Sequence, residues 1–242
     1  YPPAIHLYIH ITEASSDPFR AAQYADRLAE LAPDLGHLVH MPSHTYFRIG
    51  RWEQSLERNI EAVAADQAFL SAHNASPLYE FGYFTHNIHF ALTSAQMGGD
   101  RTSALEMAAL LDSKLPSEMA ATQPWIQPIK AAPYYSTVQF ADPQTILALP
   151  DPGEALPYLK GAWHYARGEA LSRLGRTGEA RMEAQRLEAL MGADLAALEE
   201  GGVPAIGVLN LSRHTVLARA AAADGDFDTA VDHMEEAVAL QE

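Results

Sequence analysis

Gly36-His37-Leu38-Val39-His40-Met41-Pro42-Ser43-His44-Thr45-Tyr46-Phe47-Arg48-Ile49-Gly50-Arg51-Trp52 decides how this 242-residue chain folds. The run reads as a helix that stops at Gly50 and restarts at Arg51. The restart, Arg51 to Asp66, has apolar residues at Trp52, Leu56, Ile60 and Val63, a spacing that makes one apolar helix face. Helix, glycine-marked turn and helix make a helical hairpin. Pro42 sits well inside the first helix and removes a backbone donor, which predicts a kink or a helix start near Met41.

The hairpin recurs. Its marker is a short turn followed by a small or apolar residue one turn into the second helix. Copies lie at Ser16 to Ala21, Gly50 to Ser55, Gly99 to Ala104, Gly175 to Ala180 and Gly225 to Ala230, with a degenerate copy at Ala141 to Ile146. Ala21 to Ser55 is 34 residues, and so is Ile146 to Ala180. A 34-residue unit of two helices is the tetratricopeptide period, and the longer steps of 49, 42 and 50 residues read as that unit with insertions. Strand-like alternation is almost absent, so the expected class is all-α. The expected architecture is one solenoid domain over 1–242, with hairpins at about 4–31, 37–69, 79–114, 134–149, 158–191 and 204–240. An apolar, proline-rich insertion at 115–133 is expected to be irregular and to plug a join between hairpins, or else to act as a lid. Asp17 before Pro18 fits a helix N-cap. Gly168, Tyr46 and Pro33 stand where the repeat wants a small residue, an aromatic and a closing proline.

The net charge is −15, with 31 acidic against 16 basic residues. That disfavours nucleic acid and anionic membranes as partners, since both require a basic surface. There is no cysteine, hence no disulfide, thiolate metal site or cysteine nucleophile. No run of 18 apolar residues is present, so no spanning helix is expected. Tyr1-Pro2-Pro3 enters a helix with no starting methionine and no polar cap, and an upstream segment is therefore expected.

The histidines follow the repeat. With the marker's small residue numbered twenty, His6, His40 and His89 occupy the fifth position of their hairpins. His10 and His44 occupy the ninth, and His37 and His86 the second. These are seven of the 11 histidines, and spacing alone registers them. His164 and His214 occupy the fourth position and are expected to be structural.

The stretches Gly36 to His44, His86-Asn87-Ile88-His89-Phe90 and Trp163-His164-Tyr165-Ala166-Arg167-Gly168 resemble a group of bacterial tetratricopeptide-repeat proteins carrying a Gly-His-Leu-Val-His-Met-Pro-Ser-His run. The resemblance covers nearly the whole chain. It departs at Ala141-Asp142-Pro143, where Gly-Arg-Trp is typical. It implies a right-handed superhelix whose first helices line a concave groove, with positions two, five, nine, twelve and thirteen facing that groove. It also implies a periplasmic or exported setting, with a cytoplasmic one left open, and it supplies no activity.

Three readings of the groove compete. Imidazoles at i and i+4 chelate a transition ion, and a neighbouring helix adds a third. The metal set is then His6, His10, His40, His44 and His89, with His86 at its edge, and zinc or copper suits it. Glu13, at the twelfth position, is a further ligand or a base. Alternatively the groove binds a peptide, a protein or a small ligand without metal, through Glu13, His37, Tyr46, Phe47, Arg48, Tyr83, Asn87 and Gln96. The third reading is that the histidines only hydrogen-bond one another inside a tight interior. A metal-dependent enzyme is a weaker extension of the first. No catalytic residue is assigned, because nucleophile elbow, phosphate loop, dinucleotide fingerprint and His-Glu-x-x-His are all missing from the sequence.

Overall fold

The computed structural model describes residues 1–31, 35–193 and 195–241, apart from the side chain of Ala29. Pro33, expected to close the first hairpin, lies outside the described residues. Among them all regular structure is helical, in agreement with the all-α expectation. None of the helices is long and apolar enough to cross a membrane. The chain forms two compact units, Tyr1–Leu115 and Pro116–Glu242.

The first unit begins with α1 (Pro2–Glu13), a 3-10 turn (Pro18–Ala21) and α2 (Ala22–Leu31). Then come α3 (Gly36–His40), α4 (Pro42–Arg48) and α5 (Trp52–Ala72). A π-helical segment (Tyr79–Phe84) leads into α6 (Thr85–Gly98), and α7 (Arg101–Lys114) follows. α1 packs on α2 and α4, α3 and α4 pack on α5, α5 packs on α6, and α6 on α7. The break between α3 and α4 falls at Met41, where Pro42 lacks the amide that a continuous helix needs. Ile5, Ile9, Ala21, Ala25, Leu28, Met41 and Tyr46 form one buried cluster.

The hairpin turns share one design. Gly50 has φ +78°, and the amide of Arg51 donates back to the Tyr46 carbonyl at 2.9 Å. The same six-to-one bond closes the turns at Gly99, Gly175 and Gly225, all with positive φ. The two turns without glycine use Asp-Pro. Asp142 accepts hydrogen bonds from the amides of Gln144 and Thr145, but Asp17 makes no such cap bond. Asp17 is therefore not the side-chain cap its sequence suggests: Pro18 opens a 3-10 turn, and no backbone amide there donates to the Asp17 carboxylate.

The second unit contains α8 (Ser117–Thr122), a 3-10 turn (Pro124–Ile126), α9 (Gln127–Phe140) and α10 (Pro143–Leu147). It continues with α11 (Pro157–Arg173), α12 (Thr177–Leu190), α13 (Ala196–Glu200), α14 (Ala205–Ala223) and α15 (Phe227–Ala239). α9 and α10 pack on α11, α11 and α12 pack on α14, and α14 packs on α15. The insertion is mostly helical rather than irregular, and α9 begins at Gln127 instead of Tyr134. Pro128 lies in the first turn, where an amide has no helical partner in any case, so only Pro133 costs a bond. Ala120 and Ile126 are buried, while Trp125 is half exposed. Gly168 fulfils its expectation as a small residue: a Cβ there would stand 2.6 Å from Val216 Cγ1, so the valine side chain of α14 packs directly on the α11 backbone.

Candidate metal centre

On α1, Ile5, Ile9 and Thr12 are buried. Each is followed one residue later by His6, His10 or Glu13, which share the adjacent stripe of the helix. α3 contributes His37 and His40, α4 contributes His44, and α6 contributes His86. The approach of α3 to α5 is set at Gly36, where a Cβ would lie 1.9 Å from Asp66 Oδ1. Asp66 is buried and is held by the Tyr79 hydroxyl at 2.6 Å and the Asn87 side-chain amide at 2.7 Å. The π-helical segment thus delivers the tyrosine that fixes the carboxylate under α3.

The imidazoles form two trios. The candidate ligand atoms of His40, His44 and His86 all lie within 4.8 Å of one another, as do those of His6, His10 and His37. In the first trio His40 Nε2 is 2.8 Å from His44 Nε2 and 3.1 Å from His86 Nε2. In the second, His6 Nε2 is 3.0 Å from His37 Nε2.

The tautomers follow from the outer partners. Asn59 donates its amide to the Ser55 carbonyl at 2.6 Å, so its oxygen is the atom facing His40 Nδ1, also at 2.6 Å. His40 must then carry its proton on Nδ1, leaving Nε2 as a bare lone pair. Glu13 does the same for two more rings, one in each trio. Its Oε2 is 2.5 Å from His44 Nδ1 and its Oε1 is 3.3 Å from His10 Nδ1. Histidines held in this way by an amide or carboxylate are the usual supporting shell of metal ligands.

Burial favours the neutral form of His6, His37, His40 and His86. It lowers the pKa of His37 and of His86 to about 4, with neighbouring histidines adding to the effect. It lowers His40 well below its ordinary value, again with help from His44 and His86. His6 is lowered by burial and by His10. Burial alone would raise Glu13, but its hydrogen bonds to His44 and His10 prevail and hold it as a carboxylate. Neutral imidazole is the form that binds metal, so the shifts of these four rings favour binding at neutral pH.

The other expected residues take distinct places. His89 stands outside both trios, and burial lowers its pKa to about 4. Tyr46 is turned to the core and donates to Asp26 at 2.8 Å. Asn87 is buried against Asp66. Arg48 Nε donates to the Glu13 carbonyl at 3.0 Å and so ties α4 to the end of α1. Tyr83 is exposed beside His37, with ring centroids 5.0 Å apart. Gln96 lies two turns beyond His89 on α6. Phe47 packs on Phe90, whose ring also lies within 5.5 Å of His40, His44 and His86. Phe90 and Asn59 were not among the sequence candidates. Phe90 is four residues after His86 and hence on its face. Asn59 is a polar residue inside the apolar stripe of α5, a pattern that signals a buried partner.

In the second unit His164 Nδ1 is 2.5 Å from Glu183 Oε2, and Arg167 and Arg186 bind the same carboxylate, a structural cluster as expected. His214 pairs with His233, Nδ1 to Nδ1 at 3.2 Å. Comparison with protein-family models and with curated proteins finds no match to this chain.

Proposed function

We propose that this chain is a metal-binding protein of tetratricopeptide-repeat type, holding a transition-metal ion, zinc or copper, on Nε2 of His40, His44 and His86. The observation that carries the reading is the convergence of three Nε2 atoms while Asn59 and Glu13 occupy the far sides of two of the rings. Two bare lone pairs facing one another at 2.8 Å repel unless a cation lies between them. A proton on His44 relieves that one contact, whereas a metal ion engages all three rings. With metal–nitrogen bonds of about 2.0–2.1 Å, the nitrogens of a tetrahedral site stand about 3.3–3.4 Å apart. The separations of 2.8 and 3.1 Å fall a few tenths of an ångström short of that, a distance that small ring shifts cover.

The repeat-type reading is supported by the recurring glycine turns, the 34-residue steps and the packing of Val216 on Gly168. Three imidazoles leave a fourth position for water or a small ligand, which is the open arrangement of catalytic rather than structural sites. A metal-dependent enzyme is the weaker extension of this reading.

The experiment is elemental analysis of untagged protein, followed by zinc and copper titration. Uptake of at least one equivalent is expected. His40→Ala/His44→Ala should remove the ion of this trio, lowering uptake by one equivalent at unchanged helicity, and the more superficial His86→Gln should weaken its binding without the cavity of a buried alanine. Uptake unaffected by both variants would sink the reading. The second reading, a metal-free groove for a peptide or protein, draws on Tyr83, 42% exposed beside His37. It predicts a capture that survives chelation and fails on Tyr83→Ala.

A further inference from the structure

The two trios are built by the same rule. His40 and His44 are the fifth and ninth positions of the second hairpin, and His86 is the second position of the third. His6 and His10 are the fifth and ninth positions of the first hairpin, and His37 is the second position of the second. Each trio is thus a helical i, i+4 pair joined by one ring from the next hairpin. The third hairpin breaks the series: its fifth position is His89, but its ninth is Thr93. That is why His89 belongs to neither trio.

The trios also touch. The His10 and His44 ring centroids are 5.3 Å apart, and those of His37 and His40 are 6.3 Å apart. Glu13 spans both, with one oxygen on Nδ1 of His10 and the other on Nδ1 of His44. Holding both protons on Nδ1 leaves Nε2 of one ring in each trio free for a ligand. His37 Nε2 faces His6 Nε2 at 3.0 Å, so the atom turned into the trio is a ring nitrogen able to bind an ion.

We propose that His6, His10 and His37 hold a second transition-metal ion beside the first, giving a dinuclear, all-imidazole centre in which Glu13 orients one ligand of each ion. The inference rests on the metal reading of His40, His44 and His86. His10 is 40% exposed at its side chain, so the second ion is the more accessible of the two. Imidazole ligands without an anionic ligand in direct contact leave both ions cationic and open to a small oxygen ligand such as hydroxide.

The test is titration of the whole chain with Cu(II) and, separately, with Zn(II), the bound metal being counted after gel filtration. Two equivalents are expected for the wild type and one for His6→Ala/His10→Ala. These positions lie at the surface side of α1, and circular dichroism checks that the fold persists. The milder His6→Gln/His10→Gln pair serves if it does not. For copper, adjacent ions couple magnetically. The electron-spin signal of the two-copper protein should then integrate to well under half of the copper present, and to all of it in the one-copper variant. A single equivalent already in the wild type, unchanged by the double replacement, would overturn the second site and leave the first. Two equivalents with a full, uncoupled signal would overturn the dinuclear arrangement. A second equivalent lost in His233→Ala instead would assign it to the His214 pair. No uptake by any form would overturn both this inference and the reading on which it rests. Preference between the two titrants distinguishes copper from zinc.

Discussion

Asn59→Leu is the most informative single change. Asn59 is fully buried and links His40 Nδ1 to the Ser55 carbonyl through two 2.6 Å hydrogen bonds. Leucine keeps asparagine's branched outline with greater bulk, so it leaves no cavity and adds some crowding, and it offers no acceptor. The His40 Nδ1 proton is left buried without a partner, at a cost of about 1–3 kcal/mol. The lost bond to Ser55 adds about 1 kcal/mol, giving roughly 2–4 kcal/mol of lost stability in the metal-free protein. Freed from Asn59, His40 can move its proton to Nε2, the nitrogen that faces His44 and His86. Metal affinity should therefore fall by about 10–100-fold, as for other outer partners of ligating histidines. Asn59→Asp keeps an acceptor at the same place and should retain affinity within a few-fold, although the buried charge lowers stability without metal. The assays are urea unfolding under a chelator and competitive zinc titration. A folded Asn59→Leu protein that binds zinc within twofold of the wild type would refute the tautomer argument and with it the convergence of lone pairs.

Two further outcomes are expected. In the folded, metal-free protein His37, His86 and His89 have pKa values of about 4, against 6.5 unperturbed. The unfolded chain therefore takes up protons first. Their contribution is fully present above pH 6.5 and is lost as the pH falls toward 4, by up to about 3 kcal/mol for each ring on this linkage. A thermal midpoint under chelator that does not fall between pH 7 and pH 5 would contradict the burial argument. Gly168→Ala should destabilise the second unit by about 1–3 kcal/mol, because its Cβ would press on Val216, yet leave metal uptake unchanged. Loss of uptake at unchanged stability would show that the second unit takes part in binding.

The sequence by itself determined the helical class, the positions of the hairpin turns and the registration of the histidines. These are local properties. Glycine is the residue that reaches positive φ without strain, and helical period alone puts His6 with His10 and His40 with His44 on common faces. The break at Met41 was equally legible, since a proline's missing amide acts on its own turn. The helix over Gln127–Phe140 was not, because four prolines in the insertion read as breakers until three of them prove to fall at helix starts. Which histidines meet was decided by tertiary structure. His37 and His86 join trios, and His89 does not, because partnership depends on how α3 and α6 lie against their neighbours. That placement is set by contacts far apart in sequence: Gly36 on Asp66, Tyr79 on Asp66, and Glu13 between His10 and His44. The protonation of the rings was likewise beyond the sequence, since an imidazole's tautomer is fixed by the group that reaches its other nitrogen. For His40 that group is Asn59, nineteen residues away on another helix.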